Sequence, residues 1–228
     1  MFLKLALLSS LLALVASRTH ITDCLTENKY CVGFPRGCTG TDCHFAFSSL
    51  SNGTHAEIEI FGTDTLDKTW VAVAYSADKV MKDDFVVFCI RDDKNTNIDN
   101  IDEMAGLAFN NDHSNELYGT INNLKKNKKD KHGLNLSITE YDKEDSILYC
   151  KMNIHVTPII EHFNMTQVEI LMSKGVWIKD NLSYHGKTRN NAGIVDLSGA
   201  HKKKKNSASG SLALLSSAVT FIAAKMFL

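Results

Sequence analysis

TWVAVAYSADKVMKDDFVVFCI, residues 69–90, is the stretch on which the fold turns. Two β-branched and aromatic runs, 70–75 and 85–90, flank a mostly polar loop that carries Met81. Each run has the length and composition of a strand and is too short for an ordinary helix. Side chains alternate across a strand, so Val86, Phe88 and Ile90 share one face and Phe85, Val87 and Cys89 the other. Both faces are apolar, which predicts a strand covered on both sides.

Working outward, the same period recurs. Ala56, Ile58 and Ile60 alternate with Glu57, Glu59 and Phe61, the pattern of a half-buried strand with the second set outward. Leu148, Cys150, Met152, Ile154 and Val156 point inward, while Tyr149, Lys151, Asn153 and His155 point outward; Pro158 ends the run. Shorter strands are expected near 43–49, 105–109, 117–122, 134–141 and 194–197, and on either side of Gly175 at 168–173 and 176–179. With no convincing amphipathic helix, this predicts an all-β, Ig-like β-sandwich of about ten to eleven strands. Cys89 and Cys150 each lie on the apolar side of a core strand and are expected to pair. Closing that loop stabilises by roughly 4 kcal/mol in the chain-entropy description.

The two ends read as processing signals. Lys4, an apolar run at 5–15 and Val15-Ala16-Ser17 make a secretory signal peptide over residues 1–17. At the other end, small residues, a polar spacer and an apolar tail at 212–228 fit a glycosylphosphatidylinositol signal over 198–228. Ser198 is the expected attachment site and Asn206 the alternative. The basic run at 202–205 lies on the lumenal side, against the positive-inside preference of a spanning helix. The chain is thus expected on the outer face of the plasma membrane, held by a lipid. Without both signals it keeps 26 acidic and 19 basic side chains, a net charge of −7. Such a balance gives no footprint for nucleic acid.

About 180 residues remain, the size of one domain: a cysteine-rich segment at 18–43 and a sandwich at 44–197. Six cysteines in a secreted chain imply disulfides. The spacing of Cys24, Cys31, Cys38 and Cys43 leaves three pairings open. Asn52, Asn135, Asn164 and Asn181 each open a glycosylation sequon.

Enzyme signatures are missing: there is no Gly-x-Ser-x-Gly, His-Glu-x-x-His, phosphate loop or dinucleotide fingerprint. Asp83 and Asp84 are adjacent, so on a strand they face apart, and turn or surface roles are expected for them. The nine histidines, His155 and His162 among them, show no zinc or copper spacing. These features favour a binding or carrier module over a catalyst.

The sequence of residues 70–76, the Met before an acidic pair and the following strand with Cys89 resemble the core signature of DOMON domains. So does the cysteine-rich leader, which is similar to those of ferric-chelate-reductase-like members. That resemblance implies a β-sandwich and, in the cytochrome-type members, b-type haem held by a Met on the loop after the Trp strand and a His near the C-terminal end. Met81 and His185 match those places. A thioether and an imidazole are the axial pair of many electron-transfer haems. The resemblance therefore implies haem b as cofactor and a separate electron donor or acceptor as partner. Other members imply the alternative, a module for carbohydrate or another ligand, or for a protein partner, at the cell surface.

Overall fold

The computed structural model describes residues 21, 29–38, 40–93, 98–111, 114–123, 135–156, 163–186 and 188–198. The signal peptide, Cys24, Asn206 and the apolar tail lie outside the described residues.

The chain forms β1 (Tyr30–Phe34), β2 (Phe45–Ser51), β3 (His55–Gly62), β4 (Thr69–Ser76), β5 (Asp84–Arg91), β6 (Ala105–Asn111) and β7 (Ser114–Thr120). It continues with β8 (Leu136–Asp142), β9 (Leu148–His155), β10 (Val168–Ile178), β11 (Asn181–Leu182) and β12 (Arg189–Val195). Two antiparallel sheets result. The first runs β1-β2-β3-β9-β8; the second runs β11-β10-β4-β5-β6-β7, with β12 also paired to β10. The molecule is an all-β sandwich.

The core between the sheets takes Val71, Val73 and Tyr75 from β4 and Phe85, Val87 and Cys89 from β5. Opposite them stand Ile58 and Ile60 of β3 and Cys150, Met152 and Ile154 of β9. Cys89 and Cys150 are bonded there, with Cα atoms 6.3 Å apart, so the expected pair bridges the sheets. Burying each large apolar side chain contributes about 1.5–3 kcal/mol.

The other faces of β4 and β5 are also covered, as their composition requires. Trp70, Ala72, Ala74, Val86, Phe88 and Ile90 form a second apolar cluster with Met104, Leu171, Trp177 and Leu182. This outer layer of the second sheet positions the candidate site.

Three features add to the sequence reading. First, the cysteine-rich segment contributes a strand to the first sheet: β1 pairs with β2, and Cys38 is bonded to Cys43; Cys31 is disulfide-bonded as well. Second, Glu59 and Phe61 point away from the inter-sheet core yet are buried, because Cys43, Ala46, Phe61 and Tyr149 build a third cluster there. Glu59 is held by Ser48, by Lys29 at 2.5 Å and by the Tyr149 hydroxyl at 2.9 Å. Burial alone would raise its pKa, but these hydrogen bonds and the Lys29 charge hold it below the usual carboxylate value. Third, Gly175 does not divide two strands. β10 runs through it, directly opposite Trp70. A Cβ at Gly175 would lie 2.7–2.9 Å from the indole, so the missing side chain makes room for the ring.

Candidate functional site

Above the outer face of the second sheet lies a cavity of about 610 Å³, within the usual range for small-molecule and cofactor sites. Its floor is Trp70, Ala72 and Ala74 of β4, Val86 of β5, and Leu171 and Ser173 of β10. Two loops close over it. Residues 77–83, between β4 and β5, bring Val80, Met81 and Lys82; residues 183–186, after β11, bring Ser183, Tyr184 and His185. The two residues singled out from sequence therefore line the same cavity.

The first loop is shaped by short side-chain acceptors. Ser76 Oγ accepts from the Asp78 amide at 3.2 Å, and Asp78 Oδ1 accepts from the Val80 amide at 2.7 Å. Asp83 then takes a left-handed φ of 56°, which Asp tolerates better than most residues. Met81 is half-buried and packs against the outer apolar cluster.

The second loop is tied back by Thr188, whose amide and hydroxyl both donate to the His185 carbonyl, at 3.2 and 2.5 Å. Gly186, with φ of 61°, supplies the turn that a side chain would strain. His185 is half-buried, its ring stacked on Tyr184 with centroids 5.0 Å apart. Its Nδ1 lies 3.0 Å from the Gly186 carbonyl oxygen. A carbonyl only accepts, so Nδ1 carries a proton in this contact, and in the neutral ring the lone pair is then on Nε2. Imidazoles that ligate metals are commonly oriented in this way.

Apart from Leu182, the rest of the lining is polar and lacks acid: Asn110, Ser114, Asn115, Asn181 and Arg189 contribute, with no Asp or Glu among the described lining residues. Trp70 Nε1 and Ser173 Oγ are buried without a hydrogen-bond partner among the described residues.

Asp84 departs from expectation. Asp83 is exposed in the turn, but Asp84 is fully buried at the start of β5, under the Met81 loop. Burial pushes its pKa up to about 6 and Asp78 adds to the rise, against Ser76, Asn110 and the Lys82 backbone. Asn110, whose amide is 3.4 Å from Asp84 Oδ2, connects it to the cavity wall. The second acid of a pair, set directly against an apolar run, was the only signal in the sequence. Ser173 and Arg189 were missed because they join the site through β10–β12 pairing, which local pattern does not reveal.

Among the other candidates, Asn52, Asn135, Asn164 and Asn181 are all exposed, Asn181 at the cavity rim. Ser198 follows the last strand, its hydroxyl 2.6 Å from Asp196 Oδ1. His155 meets His55 across β3–β9, with ring centroids 4.9 Å apart, while His162 lies outside the described residues. No group of three or more His, Cys, Asp or Glu side chains is placed to hold a metal ion among the described residues.

The chain is 68% identical over 227 residues to the Caenorhabditis elegans protein C44B7.5, which is described as uncharacterized; the match covers 99% of this chain and 96% of the nematode protein. The two belong to one family. No protein-family model and no solved structure matches the chain.

Proposed function

We propose that the chain is an extracellular, lipid-anchored module of DOMON type that binds b-type haem through Met81 and His185 and carries electrons. The observation behind this reading is that these two residues, far apart in sequence, line one cavity on two different loops. The chemistry of the two side chains supports the same reading. The hydrogen bond from His185 Nδ1 leaves Nε2 available, and Met81 offers a soft thioether. Ala72, Ala74, Val86 and Leu171 give the floor an apolar surface that keeps water away from a bound macrocycle. When bound, the haem would supply one-electron chemistry that the side chains of this chain do not.

The secretory signal, four exposed sequons and a lipid-attachment signal after the last strand support a place on the outer face of the plasma membrane. There the module would exchange electrons with a separate donor or acceptor. A second reading is favoured by the polar part of the same lining: Trp70 beside Asn110, Asn115 and Asn181 suits a carbohydrate or another non-haem ligand.

Substitution of the two ligands separates these readings. Supplied with haem, the wild-type protein should give a sharp low-spin spectrum. Met81→Leu should convert it to high spin, His185→Ala should abolish binding, and Met165→Leu, in the inter-sheet core, should change nothing. A Met81→Leu or His185→Ala variant that takes up haem with the wild-type spectrum would refute the ligand assignment.

A further inference from the structure

The cavity also carries information about what lies beyond any iron. Ser173 of β10 faces Ala72 of β4 on one side and Arg189 of β12 on the other, in direct register. Two residues further along β10, Gly175 faces Trp70, so the indole and the Ser173 hydroxyl are neighbours on one face of the sheet. Trp70 and Ser173 are each only 4% exposed, and neither Trp70 Nε1 nor Ser173 Oγ has a hydrogen-bond partner among the described residues. An indole N–H can only donate and a hydroxyl donates readily, so both call for an acceptor. Leaving such groups buried and unmatched is costly, and native structures rarely do so without a reason.

Charge points the same way. Arg189 forms no ion pair among the described residues although the chain is rich in acids; Lys82 and Arg189 are the cations of the cavity lining, which has no Asp or Glu among the described residues. Two donors and a guanidinium, with no competing carboxylate, suit an anionic oxygen pair. Arg binds such a pair in a planar fork.

We propose that Trp70 and Ser173 on the cavity floor and the exposed Arg189 at its edge form a carboxylate subsite, so that the natural ligand bears an acid group beside an apolar body. The inference rests on the cavity being a ligand site, as proposed above, and not on iron ligation. If the ligand is haem, the subsite takes a propionate; if it is not, the subsite takes the acid group of an apolar ligand without metal. The neutral Trp70 and Ser173 donors then set the position of the acid and Arg189 sets its charge.

The test uses purified full-length protein and metal-free protoporphyrin IX, a dicarboxylate, beside its dimethyl ester, with binding followed by porphyrin fluorescence. The free acid should bind at least about tenfold tighter than the ester, the ordinary worth of a charge-assisted hydrogen bond. Arg189→Gln and Ser173→Ala should erase most of that preference and leave ester affinity unchanged. Lys79→Gln, an exposed cation on the Met81 loop outside the cavity lining, should leave the preference intact. Equal binding of acid and ester, a preference that survives both substitutions, or no binding of either porphyrin would overturn the subsite. Because the probe has no iron, its outcome is separate from that of the ligand substitutions. An acid preference together with a featureless haem spectrum would keep the subsite and remove Met81 and His185 as axial ligands.

Discussion

Asp84→Asn should make the protein more stable at neutral pH, and the size of the gain follows from the burial of this carboxyl. Its pKa rises from 3.8 to about 6 in the folded chain, so the neutral form is the better fit to its site. An acid raised on folding costs nothing below its unfolded value, where both states are protonated. The cost grows as pH rises through the interval and is complete above the folded value. A shift of about two units corresponds to about 3 kcal/mol. Asparagine mimics the protonated form: its carbonyl keeps the contact with Asn110, and its amide occupies the place of Oδ1, which has no partner. Urea unfolding of wild type and variant, in steps from pH 3.5 to 7.5, isolates this group because the other titrations cancel. The difference should be near zero at pH 3.5, rise through pH 4–6 and level off at about 1–3 kcal/mol in favour of the variant. A flat difference, or a variant less stable at pH 7, would show that Asp84 is ionised at little cost and refute the reasoning.

Gly175→Ala should destabilise by about 1–3 kcal/mol through overpacking on Trp70, although strand propensity alone would favour alanine; chemical denaturation gives the sign. Cys150→Ala, by breaking the bridge to Cys89, should lower stability by about 2–5 kcal/mol, and non-reducing peptide mapping of the wild type should recover the Cys89–Cys150 linkage. Phosphatidylinositol-specific phospholipase C should release the protein from intact cells, and retention under conditions that release a control protein would count for a transmembrane tail.

How far the sequence reaches depends on which interactions are local. The two-sided apolar strand at 85–90 was legible because alternation is local, and its two faces are buried in the two clusters that its period implies. The Cys89–Cys150 bridge was legible for the same reason: each cysteine sat on the inward side of a patterned strand. Alternation assigns a side chain to a face, but it does not say what covers that face. Glu59 therefore looked solvent-facing, whereas the segment around Cys43 and the Lys29 ammonium enclose it. Gly175 looked like a break because its role is to admit the ring of a residue about a hundred positions earlier. In the cavity, Met81 and His185 could be named in advance through resemblance. Ser173 and Arg189 could not, since they meet only through β10–β12 register.

The visible absorption spectrum of the native glycoprotein, released from the cells that make it and recorded as isolated and after dithionite, tests the central claim most directly. Met81 and His185 acting together predict a sharp low-spin spectrum that shifts on reduction and remains six-coordinate in both states. Protein that is colourless as isolated and stays so with excess haem would contradict the electron-transfer account and leave the cavity to a ligand without iron.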